Sequence, residues 1–174
     1  MPIYAKASGS NFIPAPAGTH AAVCVDVVDL GVMETTFGNK TKKQHKINIV
    51  WQLSEVRDDN KPYEVRKRYT LSLHEKAGLR KDLESWRGRP FTQAELEGFD
   101  VETVLSAPCM INVIHNVKDG STYANVTAVM KLPRGLIAPT PRDYMRVCDR
   151  PATEAEGAPP QDFEPPYTDE DVPF

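Results

Sequence analysis

Lys40, Lys42, Lys43 and Lys46 crowd one short stretch of the chain with His45 among them, and Arg66, Lys67 and Arg68 form a second run. Clustered cations of this kind neutralise phosphates. Phe37, Trp51, Tyr63 and Tyr69 are interleaved with them, and Tyr123 lies further on. Flat rings of this sort stack on exposed bases at ~1–3 kcal/mol each, and a groove for single-stranded nucleic acid needs both rings and cations without any sequence selectivity. A hairpin also carries lysines for solubility alone, so it is the rings that tilt the reading toward nucleic acid. The expected binding set is Phe37, Lys40, Lys42, Lys43, Lys46, Trp51, Arg66, Lys67, Arg68, Tyr69 and Tyr123. Trp51 shares a strand face with Ile47, Ile49 and Leu53 and fits a core position at least as well.

Patterns for catalysis are weaker. "HEKAG" at His74 begins like a zinc-protease helix, but Gly78 stands where the second His ligand belongs. His20, His45 and His115 are scattered, and no nucleophile elbow, Walker loop or dinucleotide fingerprint occurs. No enzymatic activity, cofactor or metal is expected. Asp26 and Asp29 fall near an expected strand end and read as surface or turn positions. Cys24, Cys109 and Cys148 are odd in number and form no CxxC pair, which suits reduced thiols in the cytoplasm. The amino-terminal residues lack the apolar stretch of a secretory leader, and no run approaches the ~20 apolar residues of a membrane span. The expectation is a soluble cytoplasmic protein without membrane contact.

The elements that must position these side chains alternate along the chain. Thr19 to Leu30, with Val23, Val25 and Val27 at every second position, predicts a strand with one strongly apolar face. "GVMETTFGNKTKKQ" breaks the pattern and reads as a lysine-bearing loop. "HKINIVWQL" and "PYEVRKRYTLSL" alternate as second and third strands around the turn cluster "RDDNK". The period then changes to about 3.6: Leu79, Leu83 and Trp86 mark a helix that stops at Gly88, and "TQAE" is a capping box opening a second short one. "PCMINVIHNV" and "TYANVTAVMKL" flank the hairpin turn "KDGS". The fold class expected is mainly β, a five-stranded OB-fold barrel with a helical insert between the third and fourth strands. Residues 1–17 read as an extended arm, 18–133 as the domain and 134–174 as a disordered, Pro-rich acidic tail, with a short stretch around "RDYMRVC" as the only candidate element there.

The formal charge of −3 is unevenly divided. From Pro151 onward there are seven acids and no Lys or Arg, a charge of −7, which leaves +4 on the rest of the chain. A basic body with an acidic extension suits a polyanion partner and an arm that mimics it.

The final "DEDVPF" resembles the carboxyl-terminal tip of bacterial single-stranded-DNA-binding proteins, in which a few acids precede Ile-Pro-Phe. Val172 replaces the Ile and Glu170 one of the Asp residues, and both keep the chemistry. "YTLSLHEKAGLRKDLESWRGRPFT" with "ELEGFD" is similar to bacteriophage-encoded single-stranded-DNA-binding replication proteins, over a stretch from about Ala17 to Leu132. The resemblance implies an OB-fold that coats single-stranded DNA, without strong sequence preference, during phage replication or recombination. It also implies that Asp169, Glu170, Asp171, Val172, Pro173 and Phe174 dock on replication or recombination proteins. The bacterial relatives lack a long helical insert and are usually tetrameric, so their oligomer and mode of wrapping do not carry over, and a monomer or dimer is favoured here. An RNA-binding OB module is a rival, because stacking and phosphate contacts do not distinguish the sugars. An interaction scaffold that acts through its acidic tail is another.

Overall fold

The computed structural model describes residues 13–150 of the chain. The first strand, β1 (Gly18–Phe37), runs past its expected end at Leu30 and pairs antiparallel with β2 (Lys40–Val56) as far as Phe37 and Lys40. The stretch expected as a loop is therefore a two-stranded ribbon. Thr35, Thr36 and Thr41 are β-branched and suit a pleated strand. Gly38 supplies the positive φ (58°) that a two-residue hairpin turn needs at its first central position.

Register shifts interrupt β1 between Cys24 and Asp26 and between Asp29 and Gly31. At the first, Val25 is the surplus residue, and an extra residue reverses which side chains face the core. The single valine face expected from the sequence is thus divided. Val23 and Val25 pack with Val50 on one side of the sheet, while Val27 packs against the main core on the other. Gly31 takes φ 71° at the second shift, where the ribbon leaves the body of the sheet.

β3 (Pro62–Thr70) pairs with β2, and β4 (Pro108–Lys118) and β5 (Ser121–Met130) form the second hairpin, with β4 on the free side of β1. The result is one antiparallel sheet in the order β3-β2-β1-β4-β5, with an open ladder. The closed barrel expected from the sequence is not what the hydrogen-bond pairing produces: β3 and β5 approach one another without forming a ladder, and α1 (Gly78–Arg87) packs against both. On the β3 side, Lys67 Nζ and Tyr69 Oη donate to Asp82 Oδ2 at 2.8 and 2.6 Å. On the β5 side, Lys131 N donates to Ser85 O at 3.2 Å, so the chain leaving β5 bonds to the helix instead of to β3.

α1 buries Leu79, Leu83 and Trp86 as their spacing predicts and stops at Gly88. The Trp86 ring lies 6.0 Å from that of Trp51, which is wholly buried in the main core with Ile47, Ile49 and Leu53. The expected capping box holds α2 (Gln93–Glu97): Thr92 Oγ1 accepts from Glu95 N, and Glu95 Oε2 accepts from Thr92 N. Part of the expected arm is packed too. Ala15 is buried in the core, and its carbonyl accepts from His115 Nε2 at 2.6 Å. No helix among the described residues is long and apolar enough to cross a membrane.

Burial separates the three thiols. Cys24 is pushed up to about 12 and Cys109 is raised as well, both chiefly by desolvation, whereas Cys148 is exposed. At pH 8 a disulfide reagent should therefore label one thiol of the folded chain quickly and the other two only on unfolding; rapid labelling of all three would contradict this packing. Trp51→Ala should cost about 3–5 kcal/mol in urea unfolding. Glu95 is held at about 2 by its hydrogen bond to Arg87 and by Thr92 N, below its ordinary 4.5. Its contribution is therefore complete above about 4.5 and lost as the pH falls towards 2. Glu95→Gln should flatten the acid limb of the stability profile in that window.

Candidate nucleic-acid interface

Cross-strand partners project from the same side of a sheet, so the register sorts the expected binding residues. Ile47, Ile49, Trp51 and Leu53 face the main core. The intervening positions of β2 face the other way, and their partners follow: Phe37 opposite Lys40, Thr35 opposite Lys42, Thr70 opposite Lys46, Arg68 opposite Asn48 and Arg66 opposite Val50. Phe37, Lys40, Lys42, Lys46, Arg66 and Arg68 therefore occupy one outer face that runs from the ribbon onto the sheet. Phe37 is 56% exposed at the ribbon's end.

Four other members of the expected set lie on the opposite face. Trp51 is 0% and Tyr69 4% exposed, so neither ring is open to a base, which corrects the expectation that they stack. Tyr69 instead holds Asp82, and burial raises its hydroxyl well above the ordinary tyrosine range. Lys67 bonds the same carboxylate and lies 5.1 Å from the Tyr69 ring centre, so its charge is spent on the helix. Lys43 sits across from Glu34 at 3.5 Å, an exposed pair of small energetic consequence.

Two further positions qualify the outer face. Lys46 belongs to it, but it is buried and its Nζ donates to Thr70 Oγ1 at 2.8 Å. Tyr123 pairs with Asn116, beyond Gly18 at the start of β1, whereas Phe37 ends that strand. The register keeps those two rings apart.

The residues that bound this face at its other end escaped the sequence reading. Asp26, expected at the surface, is 1% exposed, because Val25 and Asp26 together oppose Val50 and carry the carboxylate onto the outer side. It accepts from Tyr144 Oη (3.0 Å), Arg146 Nε (3.1 Å) and Val147 N (2.8 Å). Gln52 Nε2 donates to Arg142 O and its Oε1 accepts from Arg142 N, both at 2.8 Å. Tyr144 packs over Val23, Val25 and Val50, with Arg150 5.3 Å from its ring centre. The chain from Arg142 to Arg150 thus forms a strap across the outer face, ending in a short 3-10 turn (Val147–Asp149). Packed chain continues well past the expected domain end at 133. The available signals were an acid amid valines and the Arg-x-Tyr-x-Arg alternation.

Beside the strap, Asn48 is 7% exposed and its Oδ1 has no hydrogen-bond partner among the described residues. An unpaired buried acceptor costs about 1–3 kcal/mol, which marks the middle of this face as incompletely satisfied. Arg146 also donates to Glu102 Oε1 at 2.9 Å, and these two bonds hold its guanidinium above its ordinary pKa. Among the described residues no group of three or more His, Cys, Asp or Glu is placed to hold a metal ion. Asp169, Glu170, Asp171, Val172, Pro173 and Phe174, expected to dock partners, lie outside the described residues. No protein-family model matches the chain, and no curated protein matches it.

Asp26→Ala removes the acceptor of three bonds and should destabilise the chain by about 3 kcal/mol. Limited trypsin digestion should then cut at Arg142 and Arg146 ahead of the body. Unchanged strap protection in this variant would contradict the role given to Asp26.

Proposed function

We propose that this chain binds single-stranded DNA along the outer face of β1, β2 and β3, without strong sequence preference, in phage replication or recombination. The observation that carries this reading is the register, which groups Phe37, Lys40, Lys42, Lys46, Arg66 and Arg68 on one side of one sheet. The strand order and the helix between β3 and β4 support a likeness to OB-type domains, which bind oligonucleotides on their β2–β3 face and with their β1–β2 loop. In this reading the ribbon is that loop. Phe37 stacks on a base at its end, Lys40, Lys42, Arg66 and Arg68 meet phosphates, and Asn48 meets a base edge. The acidic segment from Asp169 to Phe174 docks on replication proteins, as the resemblance of its residues to bacterial tips suggests.

Fluorescence titration of an oligo-dT series tests the groove. With about four phosphates neutralised, log affinity should fall against log salt with a slope of about −3, at ~0.7 per contact. Lys40→Gln with Lys42→Gln should make that slope shallower by about 1.4. Phe37→Ala should weaken binding by about 1–3 kcal/mol at unchanged slope. A slope near zero sinks the proposal, and equal affinity for matched RNA would shift it to the RNA module.

A further inference from the structure

We propose that the strap, Arg142–Arg150, exchanges between two copies of this chain, each copy seating its strap on the Asp26–Gln52 face of the other. The seat is specific. It offers a carboxylate that accepts from a guanidinium, a phenol and a backbone amide, a side-chain amide that pairs with one backbone peptide, and an apolar bed of Val23, Val25 and Val50. Every one of these contacts is to side chains of β1 and β2. The backbone–backbone hydrogen bonds found in the strap are internal, from Asp149 N to Arg146 O and from Arg150 N to Val147 O. No ladder joins the strap to the sheet, so it can lift away as a unit.

The connector is built for a second arrangement. Between Lys131, which bonds to Ser85 O, and the strap lie Pro133, Gly135, Pro139 and Pro141, with one backbone hydrogen bond inside the segment, from Leu136 N to Pro133 O. Leu136 is 50% and Ile137 90% exposed, so the connector is not packed down. Prolines favour extended chain and resist folding back. From Lys131 to Pro141 the connector can span roughly 36 Å when extended, at ~3.3 Å per residue, which is enough to reach a neighbouring molecule.

An emptied seat would expose three valines and a buried carboxylate, and the chemistry on this chain that complements it is another strap. Exchange preserves every strap contact and changes only connector strain and the entropy of association, which makes it an accessible route to a dimer. The population is then set by protein concentration. Nucleic acid is not required, so this inference stands or falls separately from the proposed function.

Two full-length variants test it by sedimentation velocity, after circular dichroism and thermal melting confirm that each is folded. Asp26→Ala with Gln52→Ala destroys the seat and keeps the strap; Tyr144→Ala with Arg146→Ala does the reverse. Each alone should remain monomeric, and their mixture should form a one-to-one dimer at tens of micromolar. The chain carrying all four substitutions should join neither itself nor wild type. A mixture that stays monomeric overturns the inference, as does a quadruple variant that dimerises as wild type does.

Discussion

Because Val25 and Asp26 both oppose Val50, β1 changes face partway along its length, and the organisation of the outer surface follows from that change. Before the bulge, Ala22 and Cys24 face the main core; after it, Val27 does. Val23 and Val25 are left on the far side, where they would be an exposed apolar patch without a cover. The bulge also delivers the Asp26 carboxylate to that side. One extra residue therefore creates both an apolar surface that needs covering and the polar anchor that holds its cover. The strap supplies Tyr144 for the first and Arg146 for the second.

The same parity divides the positive charges. Arg66, Lys67 and Arg68 are consecutive, yet adjacent strand residues point to opposite sides, so Lys67 turns inward to Asp82 while its neighbours face out. The charge directed inward serves α1, which bonds to β3 and to the chain leaving β5. Architecture and outer surface are linked through one strand. An Arg at position 67 would have to satisfy the same carboxylate with a larger, planar head.

Covered and open halves meet in the middle of the outer face. The strap lies over Gln52 and Val50; Asn48, Lys46 and the ribbon lie beyond it. Deep burial on the covered half accounts for a fully enclosed carboxylate, whereas Asn48 keeps an acceptor unpaired where the cover ends.

Periodicity made the local elements legible. Leu79, Leu83 and Trp86 announced α1, Thr92 and Glu95 their capping box, and "KDGS" its hairpin, because each depends on residues close in sequence. The ribbon was missed because its threonines and lysines carry no hydrophobic alternation: it is exposed on both sides, so nothing in the pattern distinguishes it from a loop. Trp51 was open between core and groove, and Tyr69 was expected to stack but is buried, because a ring on an apolar face is equally suited to either. Local chemistry alone determined strands, helices, turns and the abundance of cations. Which side of the sheet each cation occupies, the burial of Asp26 and the strap over it were decided by one bulge and by contacts between residues more than a hundred positions apart, such as Asp26 and Tyr144, whose pairing no short-range pattern encodes.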